Sequence, residues 1–170
     1  YQPWIGPDGK KKEIKVIELL THTSGLPSYA DVAMLQKKYS IPNPDGLIEH
    51  IATVKREAEP GTRMTYSCLN FISLQRIIES VSGQSLQEFA QENIFRPLGM
   101  VHTDYKPTGE TLAWTAPTEK QKDGKVLQGD VHDPLARIMN GGISGNAGVF
   151  YNAEDLCILA AALLNDGEIN

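Results

Sequence analysis

The sequence is poor in the residues that bind metal ions or form disulfide bonds. It has two cysteines and four histidines in 170 residues, and neither a C-x-x-C nor an H-x-x-x-H spacing occurs. This scarcity predicts neither a zinc site nor a disulfide framework. Cys68 and Cys157 each lie in an apolar helical pattern, so we expect two buried free thiols.

Long apolar runs and an excess of positive charge are also lacking. No run approaches the roughly 20 apolar residues of a membrane span, and the start of the chain does not resemble a signal peptide. The net charge of −5 argues against a nucleic-acid partner. Because the chain begins without methionine, we expect a mature or trimmed product. A chain of 170 residues is long enough for one domain, or for one large piece of a domain.

Apolar residues at helical spacing predict six helices, several of them with N-terminal capping residues such as Asp31, Ser85 and Asn152. The predicted helices span about 14–20, 31–39, 43–54, 69–82, 85–95 and 153–165. Glycines and prolines between 101 and 148 leave room only for short strands and loops, with a hairpin turn at Asp123-Gly124. So long an irregular segment usually lines a site. The sequence therefore predicts a mainly α fold with long loops and a few short strands.

Tyr66 lies where a loop leads into the predicted helix 69–82. A Pro-Gly turn at 60–61 and a β-prone segment at 63–66 precede it, and Gly83 is placed to end the helix. This position holds a side chain at a fixed point. From the local pattern alone, a packing residue with its hydroxyl at the surface is the simpler interpretation.

Four separated segments together resemble the superfamily of serine β-lactamases and penicillin-binding proteins, in the branch with class C β-lactamases, D-Ala-D-Ala peptidases and esterases. In chain order they are 19–27 (LLTHTSGLP), 60–67 (PGTRMTYS) with the helix after it, 94–100 (IFRPLGM), and 147–150 (AGVF) with 153–156 (AEDL). The resemblance covers nearly the whole chain. It implies that residues 1–170 form a single, partial domain, namely the helical subdomain of the β-lactamase/D-Ala-D-Ala-peptidase fold.

The resemblance also implies a role for Tyr66. In this superfamily a Ser-x-x-Lys helix, a Tyr-x-Asn loop and a Lys- or His-x-Gly strand converge, and Tyr66 falls on the Tyr-x-Asn position. It would be the general acid and base that moves the serine proton. A free phenol titrates near pH 10, so this role needs neighbouring positive charge.

The chain departs from the family pattern in two places. Cys68 stands where the asparagine is expected, and a thiol is a poor hydrogen-bond donor. We therefore expect Cys68 to mark an altered substrate-binding position, as in peptidases or esterases rather than efficient β-lactamases. No Ser-x-x-Lys occurs in the 170 residues, and no strand with the Lys/His-x-Gly element follows the last predicted helix. The chain alone is therefore expected to be an inactive internal fragment, in which Tyr66 stays protonated.

Three other patterns are candidates for chemistry. His22 and Ser24 invite a serine–histidine interpretation, but helix-terminus chemistry explains them better. Ser144 is not in a nucleophile elbow, because Asn146 stands where G-x-S-x-G requires glycine. His132, with Asp133, resembles a Val-His-Asp segment that precedes the glycine-rich loop in some family members, so it is a candidate for substrate binding or for structure.

The resemblance implies that the parent protein is a serine hydrolase that cleaves cell-wall peptides, β-lactams or small esters, without a cofactor. The alternative is a non-catalytic helical module that binds a partner. The sequence does not specify a compartment, and the resemblance implies the periplasm, the cell envelope or secretion. A piece of a larger fold would expose apolar surface, which favours self-association.

Overall fold

The structure is a computed structural model, and it describes residues 4–5 and 11–168. Helices dominate the described residues, and the strands are two to four residues long. The helices are α1 (Val16–Leu20), α2 (Val32–Lys38), α3 (Pro44–Thr53), α4 (Cys68–Ser82), α5 (Leu86–Ala90), α6 (Arg96–Leu98), α7 (Gly109–Trp114) and α8 (Ala153–Leu164). The strands are β1 (Trp4–Ile5), β2 (Lys11–Lys12), β3 (Asp104–Tyr105), β4 (Pro117–Lys120), β5 (Val126–Gln128) and β6 (Val149–Phe150). They form three antiparallel pairs, β1 with β2, β3 with β6, and β4 with β5.

The helices predicted from apolar spacing occur, and their caps act as expected. The side chains of Asp31 and Asn152 accept hydrogen bonds from the backbone N–H groups three residues later, and Ser85 forms a capping box with Glu88. Gly83 ends α4 in the left-handed conformation, with φ of 73°. A π-helical turn at Gln91–Phe95 joins α5 to α6.

The segment 101–148 is more helical than the sequence indicated. The predicted hairpin is present as β4 and β5, but α7 and a π-helical turn at Leu135–Met139 were not predicted. These elements are short and flanked by prolines and glycines, so their apolar periodicity is weak. Residues 63–66, which the sequence marks as β-prone, belong to no strand.

Helix α4 packs against both hydrophobic clusters of the described residues. Its first half contributes Leu69 and Ile72 to a cluster formed mainly by α1, α2, α3 and the Leu135–Met139 turn. Its second half contributes Ile78 to another cluster, built from α5, the β3 strand and α8. The N-terminus of α4, where Tyr66 lies, is therefore fixed by packing along the whole helix.

Two glycines allow loops to approach this region closely. A Cβ atom on Gly25, whose φ is 76°, would overlap the carbonyl oxygen of Ala58. A Cβ atom on Gly145 would overlap the carbonyl oxygen of Phe71 in α4. Glycine is required at both positions, and the second contact brings the loop 141–148 against the helix behind Tyr66.

Helix α8 has apolar residues on its exposed face. Leu156, Leu163 and Leu164 are exposed, and the buried residue of the helix is Asp155. The prediction that Cys157 is a buried thiol is wrong, because this side chain is also exposed on α8. An all-round apolar pattern could not reveal which face of the helix is covered. In the part of the chain that the structure describes, no helix is both long and apolar enough to span a membrane.

Candidate functional site

Tyr66 lies at the surface, directly before the first turn of α4. The chain on both sides of it is tied to the segment 22–28, because Thr65 N–H donates to His22 O at 2.9 Å and Cys68 N–H donates to Ser28 O at 3.0 Å. Tyr66 itself is 64% exposed. Its hydroxyl makes no hydrogen bond with any described residue. The phenol is therefore held by its backbone while its oxygen stays open to a reactant.

His22 packs directly on Tyr66. The two ring centroids are 4.6 Å apart with planes inclined by 39°, and the same imidazole lies 5.2 Å from the ring of Phe71. His22 Nδ1 accepts a hydrogen bond from the backbone N–H of Ser67 at 3.2 Å. The histidine therefore contacts both the ring of Tyr66 and the peptide that follows it.

A buried asparagine sets the tautomer of this histidine. Ser24 Oγ donates to Asn70 Oδ1 at 2.5 Å, so the amide nitrogen of Asn70 faces the other way, 3.1 Å from His22 Nδ1. Since an amide nitrogen can only donate, Nδ1 must accept, and the proton of the neutral ring lies on Nε2. We call His22, Tyr66, Ser67 and Asn70 the Tyr66 cluster.

Neither histidine considered for a serine–histidine pair has a serine hydroxyl as a hydrogen-bond partner in the described residues. Ser24 Oγ donates to Asn70, and the buried Ser67 Oγ donates to the carbonyl oxygen of Pro27 at 2.5 Å. His132 contacts a carboxylate, described below. The helix-terminus interpretation of His22 and Ser24 is therefore closer to the observed geometry than a nucleophile–base pair.

Cys68 begins α4 and is half-buried. Burial raises the pKa of its thiol, the neighbouring amide of Asn146 lowers it in part, and the Asp133 carboxylate raises it further. A thiol held in its protonated form is a poor nucleophile. In this environment Cys68 is a neutral side chain close to Tyr66 in the sequence.

Asn146 is brought to Cys68 by a chain of oriented hydrogen bonds. Asn140 Nδ2 donates to Ser144 Oγ at 2.7 Å, and Ser144 Oγ donates to Asn146 Oδ1 at 2.7 Å. Gln75 Oε1, on α4, accepts from Asn140 Nδ2 at 3.1 Å and from Gly145 N–H at 3.0 Å. The acceptor side of the Asn146 amide is therefore fixed by Ser144.

The donor side of that amide has no fixed partner. Asn146 Nδ2 is buried and makes no well-formed hydrogen bond within the described part of the chain. The group beside it is the thiol of Cys68, where the family pattern has an asparagine. A buried hydrogen-bond donor without a partner destabilises the fold by about 1–3 kcal/mol. This donor lies next to the thiol of Cys68.

A second tyrosine near the site is arranged differently from Tyr66. Tyr29 Oη donates to Asp133 Oδ2 at 3.0 Å and accepts from the backbone N–H of Leu135 at 3.1 Å. Burial, more than any other cause, raises the pKa of Tyr29 to about 12. The Tyr29 hydroxyl therefore has a structural role, because it links the segment before α2 to the loop 131–135.

His132 directly precedes Asp133 in the sequence, and its side chain is exposed. Its Nε2 is 3.8 Å from a carboxylate oxygen of Glu119 in β4. It lines an open cleft of about 600 Å³, together with His102, Trp114, Phe150 and Tyr151. Tyr66 does not line this cleft, so the structure does not bring His132 and Tyr66 into one cavity. No group of three or more potential metal ligands occurs among residues 4–5 and 11–168.

Sequence reasoning did not identify Asn70, Gln75 and Asn146 as site residues. The signal for two of them was present, because Asn70 and Gln75 are polar residues on the buried face of α4. Buried polar side chains are almost always paired, so such positions indicate a hydrogen-bond network. Asn146 had no comparable signal, since its placement depends on the contact between Gly145 and α4.

The chain matches one protein family along its whole length. The profile of the family described as Beta-lactamase matches residues 1–170. An N-acetylmuramyl-L-alanine amidase of Bacillus subtilis is 34% identical over 92% of this chain and 39% of its own length. A protein of Escherichia coli named "Putative D-alanyl-D-alanine carboxypeptidase" is 33% identical over 92% of this chain and 40% of its own. The chain thus spans about two fifths of these relatives.

Solved structures show the same fold. A penicillin-binding protein from Bacillus halodurans superimposes with a TM-score of 0.69 and 26% identity, over 92% of this chain and 48% of that one. A β-lactamase/D-alanine carboxypeptidase from Pseudomonas syringae superimposes with a TM-score of 0.70 and 23% identity, over 97% and 41% of the two chains. With a family match along its whole length, this chain belongs to the Beta-lactamase family.

Proposed function

We propose that this chain is the helical subdomain, a single partial domain, of a serine hydrolase that cleaves amide or ester bonds through an acyl-enzyme. Tyr66 moves the protons in this reaction. The observation that carries the proposal is the exposed, unbonded phenol of Tyr66, fixed at the start of α4 by the Tyr66 cluster. Membership of the Beta-lactamase family supports it.

The chemistry needs a nucleophile from polypeptide outside these 170 residues, which contain no Ser-x-x-Lys. A serine hydroxyl attacks the carbonyl carbon, and its proton passes to the phenolate oxygen of Tyr66. The same oxygen then protonates the leaving nitrogen or oxygen when the carbonyl intermediate collapses. Water later attacks the acyl-enzyme by the same route. The lysine of the missing motif would supply the positive charge that a tyrosine base requires.

Two observations support a substrate class, namely the names of the relatives and the identity of Cys68. A relative named N-acetylmuramyl-L-alanine amidase and one named "Putative D-alanyl-D-alanine carboxypeptidase" are about one-third identical to this chain. Cys68 replaces the amide donor of the Tyr-x-Asn pattern with a weak donor. Cell-wall peptides or esters therefore fit better than rapid β-lactam hydrolysis. We propose that His132 contacts substrate in the cleft that it lines, which Tyr66 does not share.

The 170-residue chain should be inactive by itself, because it contains the proton carrier without the nucleophile. A non-catalytic binding module is the alternative. The two candidates differ in one respect that can be measured. A catalytic parent protein becomes acylated, whereas a binding module does not.

The test is acylation of the longer protein that contains this chain, measured with a fluorescent penicillin and with turnover of nitrocefin, p-nitrophenyl acetate and a D-Ala-D-Ala peptide. Tyr66→Phe should abolish turnover while leaving the melting temperature unchanged, because the Tyr66 hydroxyl has no bond to lose. Tyr39→Phe is the matched control, since this ring packs on Gly46 in the core. Turnover by the 170-residue chain alone, or by Tyr66→Phe, would refute the proposal.

A further inference from the structure

His22 has an unusual backbone conformation for a histidine. Its φ is 58°, in the left-handed region that is costly for a residue with a Cβ atom. The strain is maintained by hydrogen bonds on both sides, from His22 N–H to Leu19 O at 3.3 Å and from Thr65 N–H to His22 O at 2.9 Å. The first bond ends α1, and the second attaches the segment that leads into Tyr66. A glycine would adopt this conformation more easily, so the imidazole itself needs an explanation.

The imidazole accepts two hydrogen bonds at one nitrogen. The Ser67 N–H and the Asn70 amide both point at Nδ1, at 3.2 and 3.1 Å. Helix N-termini expose N–H groups that have no partner within the helix, and Ser67 is the N-cap residue of α4. The Ser67 side chain makes no capping bond, and its hydroxyl donates to the carbonyl oxygen of Pro27. His22 thus provides an acceptor at the N-terminus of α4, for the N–H of the residue that follows Tyr66.

The same ring also limits the movement of the phenol. It lies 4.6 Å from the Tyr66 ring, and its far side is supported by Phe71 at 5.2 Å. Tyr66 is otherwise mostly exposed, so few other contacts define its rotamer. Proton transfer requires the donor and acceptor oxygens within hydrogen-bond reach, which makes the placement of this ring important.

We infer that His22 is a positioning residue for Tyr66, which acts as a neutral acceptor at Nδ1 and holds both the Ser67 peptide and the phenol ring in the reactive geometry. The inference rests on the proposed function of Tyr66. In this role His22 takes no part in bond making, and its Nδ1 accepts from the Ser67 N–H and the Asn70 amide. Its contribution is to the rate of proton transfer, not to the binding of substrate.

The test compares His22→Gly with His22→Asn in the longer protein. Both residues tolerate the left-handed conformation and both lack the ring, but the asparagine Oδ1 can replace Nδ1 as acceptor. We expect His22→Gly to lower the acylation rate constant by about 10- to 100-fold, with KM little changed. His22→Asn should recover a large part of that loss. His50→Asn is the control, because this histidine lies on α3 and has no ring contact or hydrogen bond with Tyr66.

Equal acylation rates for the two His22 variants, or an unimpaired glycine variant, would overturn the inference and leave the role of Tyr66 standing. Loss of activity in proportion to a lowered melting temperature in both variants would also overturn it, as a purely structural effect. If His22→Gly does not fold, a folded His22→Asn protein that is not acylated decides against the inference. If the Tyr66→Phe variant keeps its activity, the proposed function is refuted, and the inference fails with it.

Discussion

Thr103 donates its hydroxyl hydrogen to the carboxylate of Asp155 at 2.7 Å, across 52 residues of sequence. The backbone N–H of His102 donates to the same oxygen at 2.8 Å, and Asp155 is 2% exposed. The carboxylate thus ties the first turn of α8 to the loop that follows α6. It is the buried charged residue on a helix whose other side is apolar and exposed.

Asp155→Ala should lower the free energy of unfolding of the chain by about 2–3 kcal/mol, because a buried hydroxyl and a partly buried N–H lose their acceptor. Glu154→Ala, at the exposed neighbouring position, should change it by less than about 0.5 kcal/mol. Urea denaturation followed by circular dichroism measures both. Equal effects of the two substitutions would show that the Thr103–Asp155 contact does not stabilise the fold.

Cys68 should react with iodoacetamide more slowly than Cys157. Cys157 is exposed, whereas burial raises the pKa of Cys68 and reduces its reactive thiolate at neutral pH. The alkylation rate of Cys68 should therefore increase with pH beyond the range of an ordinary thiol. Single variants, Cys68→Ser and Cys157→Ser, allow mass spectrometry to follow one thiol at a time. Faster labelling of Cys68 at neutral pH would contradict the described environment.

Two tyrosines should ionise late. Burial raises the pKa of Tyr29 and of Tyr105 to about 12, compared with about 10 for a free phenol. A folded-state pKa above the unfolded value means that the protonated phenol contributes stability below about pH 10, which is lost as the pH rises towards about 12. Alkaline titration followed by ultraviolet absorbance should show these two ionisations last, and Tyr29→Phe and Tyr105→Phe should each remove one.

The isolated chain should self-associate through α8. Leu163 and Leu164 are 70% and 89% exposed and adjoin other apolar residues of this helix. Exposed apolar surface of this kind favours association in water. Light scattering after gel filtration should give a mass above that of the monomer, and Leu163→Glu with Leu164→Glu should restore the monomer. Matched substitutions at Glu110 and Glu154, to glutamine, should leave the association unchanged.

The local signals in the sequence were sufficient for the helices that surround the site. Apolar spacing placed α4 and its end at Gly83, and the caps at Asp31, Ser85 and Asn152 marked the starts of three other helices. These predictions depend on residues three or four positions apart, which interact in any helix. Short elements such as α7 were missed, since six residues hold too little periodicity.

The position of Tyr66 before α4 was likewise determined by neighbouring residues, the turn at 60–61 and the start of the apolar pattern. Only the tertiary structure decided that His22 lies on the ring of Tyr66, that Asn70 sets the tautomer of that imidazole, and that Asn146 lies beside Cys68. These partners are separated by more than 40 residues, and each contact forms when the two hydrophobic clusters bring distant loops against α4. A sequence pattern records which side chains share a helix face, whereas contacts between elements depend on how those faces pack.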